Sequence, residues 1–481
     1  MAGLYDIGLK CVSEEDLDKI HAASIRILEN KGIVVHHDEV REIAKKKGAK
    51  VDDKVVYFPK SLVEKAVETA PEYFEFQSRN KEKNIIIGKD LVLSPVHGVP
   101  FIIDENGRRQ GTLEDYLMLI KLSHQLNSLN LTGGIVIEPY DVDRNIRHVE
   151  LMHHLFKLTD KPLLFVAVGE EKSKDIIEMT SIVLGGKDNL LKGPALILSV
   201  NPVSPLKWDN VCAGTILEFS KNRQALVLAP GIFMGITGPI TPMGTCVLQN
   251  AEILSGITMA QMIKEGTPVV YGAASGASNM KSANIILGSP ESILMNMAAM
   301  QMAKFYKIPS RIQATLTDAK AVDWQAGVEG SFSTLLLVIA HGEGAYLSQA
   351  VGQLDSYLAS SAEKFVVDDE LCSRLISILG GLDTSEDSYA LETIMEVGHE
   401  AGYLTDDHTF NHFKERWQPT VSDWDTYEEW DRKGNVNLVQ RARERVRVKE
   451  LLDNYIPPEL DKEVEKDLGK YVERFKKSFK S

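Results

Sequence analysis

The sequence predicts an α/β protein built on eight strand–helix units, and three observations favour this fold class. Eight short apolar runs recur between residue 91 and residue 351. Amphipathic stretches of helical spacing separate them, for example 141–158, 247–264 and 325–340. Strands that alternate with helices pair in parallel, and eight such units predict a closed TIM (β/α)8 barrel instead of an open sheet. No G-x-G-x-x-G opens a unit and no G-x-x-x-x-G-K-[ST] occurs, so nucleotide binding is poorly supported.

Three segments are expected along the chain. Residues 1–88 predict an N-terminal helical layer, because Ser13 precedes an acidic turn and Leu17, Ile20 and Leu28 follow at helical spacing. Residues 89–366 contain the barrel. Residues 367–481 predict a C-terminal helical extension that ends in a highly charged stretch. The eight predicted strands are 91–96, 131–137, 162–168, 194–200, 225–230, 268–274, 311–317 and 345–351.

The overall charge restricts the classes of partner. With a formal net charge of −14, the chain lacks the basic surface that phosphate recognition needs, so nucleic acid and anionic membranes are not expected partners. The proportions of 44% hydrophobic and 25% charged residues are typical of a soluble globular protein. The four cysteines are scattered, no signal peptide is recognised, and no apolar run is long enough to cross a membrane. The sequence therefore predicts a cytoplasmic protein with free thiols.

The stretch 316–330 carries the candidate catalytic residues. Polar side chains crowd the turn between the end of the seventh strand and the start of the next helix, where strand–helix folds bind their ligands. An acidic residue in the first turn of a helix can also be a simple cap, so that alternative stays open for Asp323. The candidate catalytic residues are Asp318, Asp323, Gln325 and Glu329.

Candidate substrate-binding residues lie near the predicted strand ends. Arg311 could bind a carboxylate with its planar guanidinium, but it begins its strand and would have to reach inward. Aromatic rings at strand ends could surround a quaternary ammonium through cation–π contacts, although packing explains most such rings. A histidine after an apolar helix could equally cap that helix. The candidate substrate-binding residues are His97, Arg311, Trp324, His341, Tyr346 and Tyr357.

The segment 235–246 is rich in glycine, proline and threonine and follows the fifth strand. Such a loop is rigid and presents backbone groups to a ligand, but it could also be a stiff connector. Gly276 follows the sixth strand in a similar position. His408 and His412 have the i, i+4 spacing of a metal pair, but the glutamate of H-E-x-x-H is missing, so no bound metal is expected.

Five groups of motifs follow one another along the chain. They are Gly238-Pro-Ile-Thr-Pro-Met-Gly244 with Ala251-Glu252, Gly288-Ser-Pro-Glu291, Thr317-Asp-Ala-Lys-Ala-Val-Asp-Trp-Gln-Ala-Gly327 with Glu329, Glu363-Lys-Phe-Val-Val-Asp-Asp-Glu370, and Glu396-Val-Gly-His with His408-Thr-Phe-Asn-His-Phe. Together, in this order and spacing, they resemble the trimethylamine methyltransferase family of corrinoid-dependent amine methyltransferases. The likeness runs from the N-terminal helices to about residue 435.

The resemblance implies a TIM barrel that moves a methyl group from an amine to the cobalt of a separate corrinoid protein. The founding enzymes of the family carry pyrrolysine, which this chain lacks. It therefore resembles the pyrrolysine-free branch, whose substrates are quaternary amines such as glycine betaine, proline betaine and carnitine. The resemblance implies corrinoid contacts at Gly238, Thr241 and Gly276. Barrels of this type are commonly dimers or larger, so a homo-oligomer is expected.

The cobalamin is expected to come from the partner protein. Corrinoid carriers use D-x-H-x-x-G, and the nearest match, Asp406 to Asn411, lacks the glycine. A quaternary nitrogen already carries a positive charge, so positioning and exclusion of water suffice for its demethylation. Two alternatives remain open. Lys320 could form a Schiff base in a barrel lyase, or the chain could bind betaines without catalysis, although the missing signal peptide argues against a periplasmic binder.

Overall fold

Eight parallel strands form the central sheet of the protein. The computed structural model describes residues 9–341, 347–399, 402–447 and 450–480, and of residues 341, 347–350, 446, 447 and 480 only the backbone. The sheet order is β1-β8-β7-β6-β5-β4-β3-β2, with every pairing parallel. All eight predicted strands are present, each within its predicted range or one residue beyond it. The strands are β1 (Val92–Pro95), β2 (Thr132–Gly133), β3 (Leu163–Val166), β4 (Leu196–Val200), β5 (Ala225–Leu228), β6 (Val269–Gly272), β7 (Ser310–Gln313) and β8 (Leu347–Val351).

The sheet is strongly curled, so that its first and last strands approach each other. The backbone N–H of Leu131, just before β2, donates to the carbonyl of Leu93 in β1 at 3.2 Å. Beyond the other ends of the two strands, the N–H of Gly98 donates to the carbonyl of Ile135 at 2.7 Å. The fold is therefore α/β, with the eight predicted strands in one strongly curled parallel sheet.

Each strand is followed by at least one helix. The predicted helices are present, and several begin a few residues away from the predicted start. The helices that follow the strands are Leu113–Gln125, Arg147–Leu158, Glu170–Val183 with Lys187–Leu190, Asn210–Lys221, Pro242–Ile263, Pro290–Phe305, Trp324–His341 and Ala362–Leu379.

The N-terminal layer is not purely helical, which corrects the prediction for residues 1–88. Three short runs form strands, because they are too short for a helix and pair with one another through their backbones; two of them consist largely of β-branched residues. The strand Lys207–Trp208, which follows β4, extends their sheet in parallel with Ile33–Val35. The helices are Glu14–Asn30, Asp38–Lys46 and Lys60–Thr69, and the strands are Ile33–Val35, Lys50–Asp52 and Val55–Tyr57.

The curled sheet surrounds a central space, which we call the strand ring, and a hairpin fills its amino end. Its strands, Phe74–Phe76 and Ile85–Ile87, pair antiparallel immediately before β1. Alternate residues of the hairpin point the same way. Phe74, Phe76, Ile85 and Ile87 pack in one cluster with the inward-facing residues Val92, Leu131, Leu164, Ile197, Ala225, Val227, Ala229 and Val270. The hairpin therefore plugs the amino end, so that a ligand enters from the carboxyl end.

Shorter strands surround the carboxyl end. Phe101–Asp104, Gly107–Gln110, Gln353–Leu354 and Ala359–Ser360 form a four-stranded sheet, and Ala277–Asn279 pairs with Asn284–Ile286 in a hairpin after β6. They lengthen the loops in which the candidate site was predicted.

The C-terminal extension is helical, as predicted, and part of it packs on the helices that surround the sheet. Leu438–Arg447 lies against Ala362–Leu379, and Lys462–Lys480 lies against Arg147–Leu158 and Glu170–Val183. The other helices are Leu391–Val397, Asp407–His412 and Tyr427–Arg432, and 3-10 turns occur at Lys81–Lys83 and Asp387–Tyr389. Within the described parts of the chain, no helix has the length and apolar character needed to cross a bilayer. The boundaries at residues 88 and 366 stay a prediction.

Candidate active site

Arg311 points into the strand ring and toward its carboxyl end. In the register of the sheet, Arg311 of β7 pairs with Gly272 of β6, so the two residues share the inner face. Its Nη1 donates at 2.7 Å to the carbonyl of Ala273, directly after β6. Only 3% of Arg311 is exposed. Although Arg311 lies near the start of its strand, its long side chain thus reaches the end where ligands bind in barrels.

His97 and Tyr357 meet Arg311 in this position. Tyr357, from the loop after β8, makes hydrogen bonds with Arg311 and Gln313. Burial raises the pKa of Tyr357 to about 12. Burial and the positive charge of Arg311 lower the pKa of His97, which follows β1, to about 3. Near neutral pH the site therefore combines a neutral imidazole, a protonated phenol and a buried guanidinium.

Gln313 belongs to the same group and was missed by sequence analysis. It is buried and lies two residues after Arg311 on the same face of β7. Among the described residues, its Oε1 atom has no hydrogen-bond partner. Buried amide oxygens are normally paired, so this atom is available to a bound ligand. The alternation of side-chain direction along β7 could have identified Gln313, because residues 311 and 313 of one strand point to the same face.

The inside of the ring changes character along its axis. Large apolar side chains and the hairpin fill the amino half. The carboxyl half is lined by small residues, including Ser94, Ser199, Ala229 and Gly272, which share the inner face with Arg311. Because small side chains fill less volume, the carboxyl half leaves more space beside the guanidinium than the amino half does.

The stretch 316–330 is held together by its own carboxylates. Glu329 Oε2 accepts hydrogen bonds from Thr317 Oγ1 at 2.7 Å and from the N–H of Asp318 at 2.8 Å. Glu329 Oε1 accepts from Gln325 Nε2 at 2.9 Å. The contacts of Glu329 Oε2 connect the helix Trp324–His341 to the loop after β7, whereas Gln325 bonds only to Glu329 within the same helix. These contacts favour a bracing role for Glu329, and a catalytic role for Glu329 or Gln325 stays a prediction.

Asp318 and Asp323 also bind backbone groups. The two oxygens of Asp318 accept from the N–H groups of Leu287 at 2.8 Å and Gly288 at 2.9 Å. Asp323 Oδ1 accepts from the N–H of Ala326 at 3.1 Å, which is the helix-cap geometry considered as its alternative role. These contacts favour bracing and capping, and direct participation of either carboxylate in catalysis stays a prediction.

Of the remaining predicted residues, Trp324 lies apart from this group, while the side chains of His341 and Tyr346 lie outside the described residues. Trp324 is 85% exposed and so does not enclose a ligand in this arrangement. Lys320 lies on the surface, where its Nζ is 3.4 Å from Asp355 Oδ1. His341 ends its helix, but its side chain lies outside the described part of the structure, as does Tyr346 altogether. Their roles in substrate binding stay predictions.

A cleft outside the strand ring also contains one of the predicted residues. Its volume is about 160 Å³, and its lining includes Asp323 and Gly327 on one side and Lys364 and Asp368 on the other. Lys364 and Asp368 form an ion pair with side chains only 2% exposed. The cleft is separated from the inward-facing group of Arg311 because it lies between two outer helices.

Gly238, Thr241 and Gly276 lie together in the loops after β5 and β6. The N–H of Gly276 donates to the carbonyl of Ile232, and its carbonyl accepts from the N–H of Met234, at 3.1 and 3.0 Å. Gly238 accepts from the N–H of Gly235 at 3.0 Å, and Thr241 precedes the helix Pro242–Ile263. The two loops thus form one hydrogen-bonded rim, and a corrinoid contact there stays a prediction.

Comparison with known proteins identifies the family. A model described as trimethylamine methyltransferase (MTTB) matches residues 6–480. The chain belongs to this family. A glycine betaine methyltransferase of Desulfitobacterium hafniense strain Y51 is 37% identical over 464 residues, which cover 96% of each chain. A proline betaine:corrinoid methyltransferase of Eubacterium limosum is 26% identical, covering 85% of this chain and 86% of the relative.

Membership of the trimethylamine methyltransferase family confirms the resemblance found in the motifs, and with it the prediction of an amine methyltransferase. A solved structure supports the fold. The monomethylamine methyltransferase of Methanosarcina barkeri superposes with a TM-score of 0.51 at 12% identity, covering 93% of this chain and 97% of that one. The shared architecture spans the sheet and both terminal regions.

Proposed function

We propose that this enzyme moves a methyl group from glycine betaine to the Co(I) of a separate corrinoid protein. The products are dimethylglycine and methyl-Co(III). The single observation that carries the substrate class is the 37% identity, along 96% of both chains, to a protein named glycine betaine methyltransferase. The corrinoid acceptor is supported by the name of the proline betaine:corrinoid relative.

The reaction needs little chemical assistance from side chains. The filled orbital of Co(I) attacks one methyl carbon, a Co–C bond forms, and the C–N bond breaks. Its electron pair stays on nitrogen, which leaves as a neutral tertiary amine, while cobalt is oxidised from Co(I) to Co(III). Because the leaving nitrogen needs no proton, the enzyme's contribution is orientation and exclusion of water.

Arg311 is the residue that we assign to the carboxylate of the substrate. Its guanidinium is fully buried beside His97 and Tyr357, where a bidentate pair with a carboxylate is much stronger than in water. The unpaired Oε1 of Gln313 adds a negative partial charge that suits the cationic end of a betaine. Asp318, in the loop after β7, and Glu329, in the helix that follows, carry further negative charge at the carboxyl end of β7.

We also propose that the eight strands close into a complete (β/α)8 barrel. The hydrogen bonds from Leu131 to Leu93 and from Gly98 to Ile135 support closure, because they join the two strands at the ends of the sheet order. In a closed ring, the plug at the amino end leaves one entrance, and the substrate's transferred methyl group has to face that entrance.

Two other betaines remain candidates for the same reaction. The relative from Eubacterium limosum favours proline betaine as the second candidate, and carnitine has the same pairing of a quaternary nitrogen with a carboxylate. No comparable observation favours a Schiff-base lyase, since Lys320 is exposed and pairs with Asp355. A betaine binder without catalysis finds no support in a family of methyltransferases.

Spectroscopy of cobalamin tests the proposed reaction. The enzyme is mixed anaerobically with cob(I)alamin and one of glycine betaine, proline betaine, carnitine, choline or trimethylamine. We expect the cob(I)alamin absorbance to decay into that of methylcobalamin with glycine betaine, and more slowly or not at all with choline, which lacks the carboxylate. Formation of methylcobalamin with trimethylamine alone, or with no member of the panel, would contradict the proposal.

We further propose that the enzyme is a homo-oligomer. Between residues 382 and 413 no described residue is buried, and the helices Leu391–Val397 and Asp407–His412 are too short to be stable alone. This oligomer segment exposes nine large apolar side chains, each by 44 to 88%. They are Leu382, Tyr389, Leu391, Ile394, Met395, Tyr403, Leu404, Phe410 and Phe413. Their combined area is on the order of 1,000 Å², comparable to one side of a standard interface.

A second copy of the chain is the occupant that fits this segment. The helix Ala362–Leu379 starts at the carboxyl end of the ring, and its 18 residues carry the chain about 27 Å toward the amino end before the oligomer segment begins. A partner that delivers cobalt to the carboxyl end would therefore have to reach around the barrel to cover the segment. A second copy has no such constraint.

A further inference from the structure

Four exposed apolar side chains gather on the loops that follow β5 and β6. Ile236, Ile240, Met243 and Met280 are 44, 56, 46 and 62% exposed. A methyl group built on Gly235 would lie 2.5 Å from Ile240 Cδ1 and 3.1 Å from Met280 Sδ, so these two side chains reach the same point from different loops. We name these four residues the rim surface. Contiguous apolar groups of this kind on a soluble protein usually mark a binding surface.

Hydrogen bonds order the backbone of the loop after β5, which carries Ile236 and Ile240. Gly235 has φ +82°, and its N–H donates to the carbonyl of Gly238 at 3.0 Å. The N–H of Phe233 donates to Thr237 Oγ1 at 2.8 Å, and Thr245 Oγ1 donates to the carbonyl of Pro239 at 2.8 Å. A loop whose backbone is already ordered loses little conformational entropy when a partner covers it. The rim surface is therefore prepared for binding.

The position of the rim surface restricts the choice of partner. Both loops leave the carboxyl ends of their strands, whereas the hairpin of Phe76 and Ile87 plugs the amino end. A cobalt atom that takes a methyl group from a substrate beside Arg311 has to arrive over the carboxyl end. The protein that carries it then meets the rim surface, whose methionines can adapt to its shape.

We infer that the corrinoid protein docks on the rim surface, with Ile240 and Met280 as its central contacts. This inference rests on the proposed methyl transfer and adds where the acceptor protein is held. Central apolar contacts that become fully covered dominate the affinity of an interface. A charge introduced at either position would be buried without a partner and would weaken docking strongly.

The test compares two methyl acceptors in the variants Ile240→Glu, Met280→Glu and the double variant. One acceptor is free cob(I)alamin, which needs no docking. The other is the cobalamin-loaded corrinoid protein that the unsubstituted enzyme methylates. We expect kcat/KM for the corrinoid protein to fall at least tenfold in the double variant, while the rate with free cob(I)alamin stays within twofold.

Leu191→Glu is the matched control. Leu191 is 41% exposed, comparable to the rim residues, but it precedes β4 at the amino end. The variant Leu191→Glu should change neither rate.

A double variant that methylates the corrinoid protein as fast as the unsubstituted enzyme would overturn the inference, and so would equal losses with both acceptors. Failure of the unsubstituted enzyme with free cob(I)alamin and every betaine would instead remove the proposed function. Sedimentation of the two proteins together would then still test docking, and equal binding by wild type and double variant would overturn it.

Discussion

At the scale of single residues, Arg311 makes the sharpest prediction about substrate recognition. Replacing Arg311 with alanine removes the charged partner of the substrate's carboxylate. Hydrogen bonds to charged groups contribute roughly 1.5–3 kcal/mol, so KM for glycine betaine should rise about 10- to 150-fold with a smaller change in kcat. Steady-state rates of cob(I)alamin methylation measure both constants.

Because Arg311 is fully buried, the experiment needs a variant that keeps the charge and a substrate that lacks the carboxylate. Arg311→Lys retains a cation but loses the planar fork, and should give an intermediate KM. Choline has the quaternary nitrogen without the carboxylate, so its weak turnover should hardly change in either variant. An unchanged KM for glycine betaine in Arg311→Ala would remove Arg311 from the binding site.

His97 predicts a dependence of stability on pH. The pKa of His97 is about 3 in the folded protein, below the ordinary 6.5. Between these two pH values the imidazole is protonated in the unfolded chain but neutral in the folded protein. The unfolding free energy is therefore highest above pH 6.5 and falls as the pH drops toward 3. The slope for one group is about 1.4 kcal/mol per pH unit, or roughly 2 kcal/mol between pH 6.5 and pH 5.

The variant His97→Gln should lose this part of the pH dependence. Urea unfolding of the two proteins at pH 7 and pH 5 gives the comparison, since all other titrating groups are shared. The unfolding free energy of wild type should fall more between the two pH values than that of the variant. Equal falls in both proteins would show that His97 is not held neutral.

Residue types predict candidate members of the site, but not their arrangement. His97, Arg311 and Tyr357 were selected as ligands, and the fold brings them together because β1, β7 and β8 are neighbours in the sheet. Gln313 was missed although the alternation of β7 fixes it beside Arg311. Trp324 was selected for its ring, yet nothing in sequence shows that this ring is 85% exposed. Proximity in space depends on register and loop path, which the sequence does not state.

At the scale of secondary-structure elements, the hairpin plug can be tested with two adjacent isoleucines. Ile87 is 1% exposed and packs inside the ring, whereas Ile86 points outward and is 37% exposed. Ile87→Ala should lower the unfolding free energy by about 2–5 kcal/mol, because it leaves a cavity in a packed core. Ile86→Ala should cost less than about 1 kcal/mol. Chemical denaturation measures both, and equal losses would show that the hairpin does not fill the ring.

The loop after β7 gives a second prediction at this scale. Glu329→Ala removes the acceptor of the Asp318 N–H and the Thr317 hydroxyl, so the loop should open more often. Hydrogen exchange of the Asp318 amide should accelerate at least tenfold. Gln325→Ala is the control, since it removes only the bond to the other oxygen of Glu329 and should leave that amide protected. Unchanged exchange in Glu329→Ala would rule out the bracing role.

The long elements could be predicted from sequence, while the short ones could not. Most of the eight units combine an apolar run with a helix of several turns, and the spacing of their apolar residues can be recognised in a single sequence. The two strands of the hairpin before β1 have three residues each, and so do Ile33–Val35 and Val55–Tyr57. Three residues are too few to show a period of apolar and polar side chains. Their identity depends on partners far along the chain, such as Lys207–Trp208.

At the scale of the whole molecule, the structure has three regions with different features. The amino end of the ring is filled by its hairpin, the carboxyl end holds the Arg311 group and the rim surface, and the outer side carries the oligomer segment. The proposed self-association would therefore leave the carboxyl end free. Because the two exposed apolar surfaces lie on different elements, substitutions should separate their effects.

The oligomer segment predicts the mass of the enzyme in solution. Sedimentation velocity of the unsubstituted protein at micromolar concentration should give a multiple of 53.4 kDa. The double variant Leu391→Glu with Met395→Glu places two charges on one exposed face of the helix Leu391–Val397, where burial against a second copy would leave them unpaired. It should sediment as a 53.4 kDa monomer. Met280→Glu at the rim surface is the control and should leave the mass unchanged, whereas a monomeric wild type would contradict a self-associating segment.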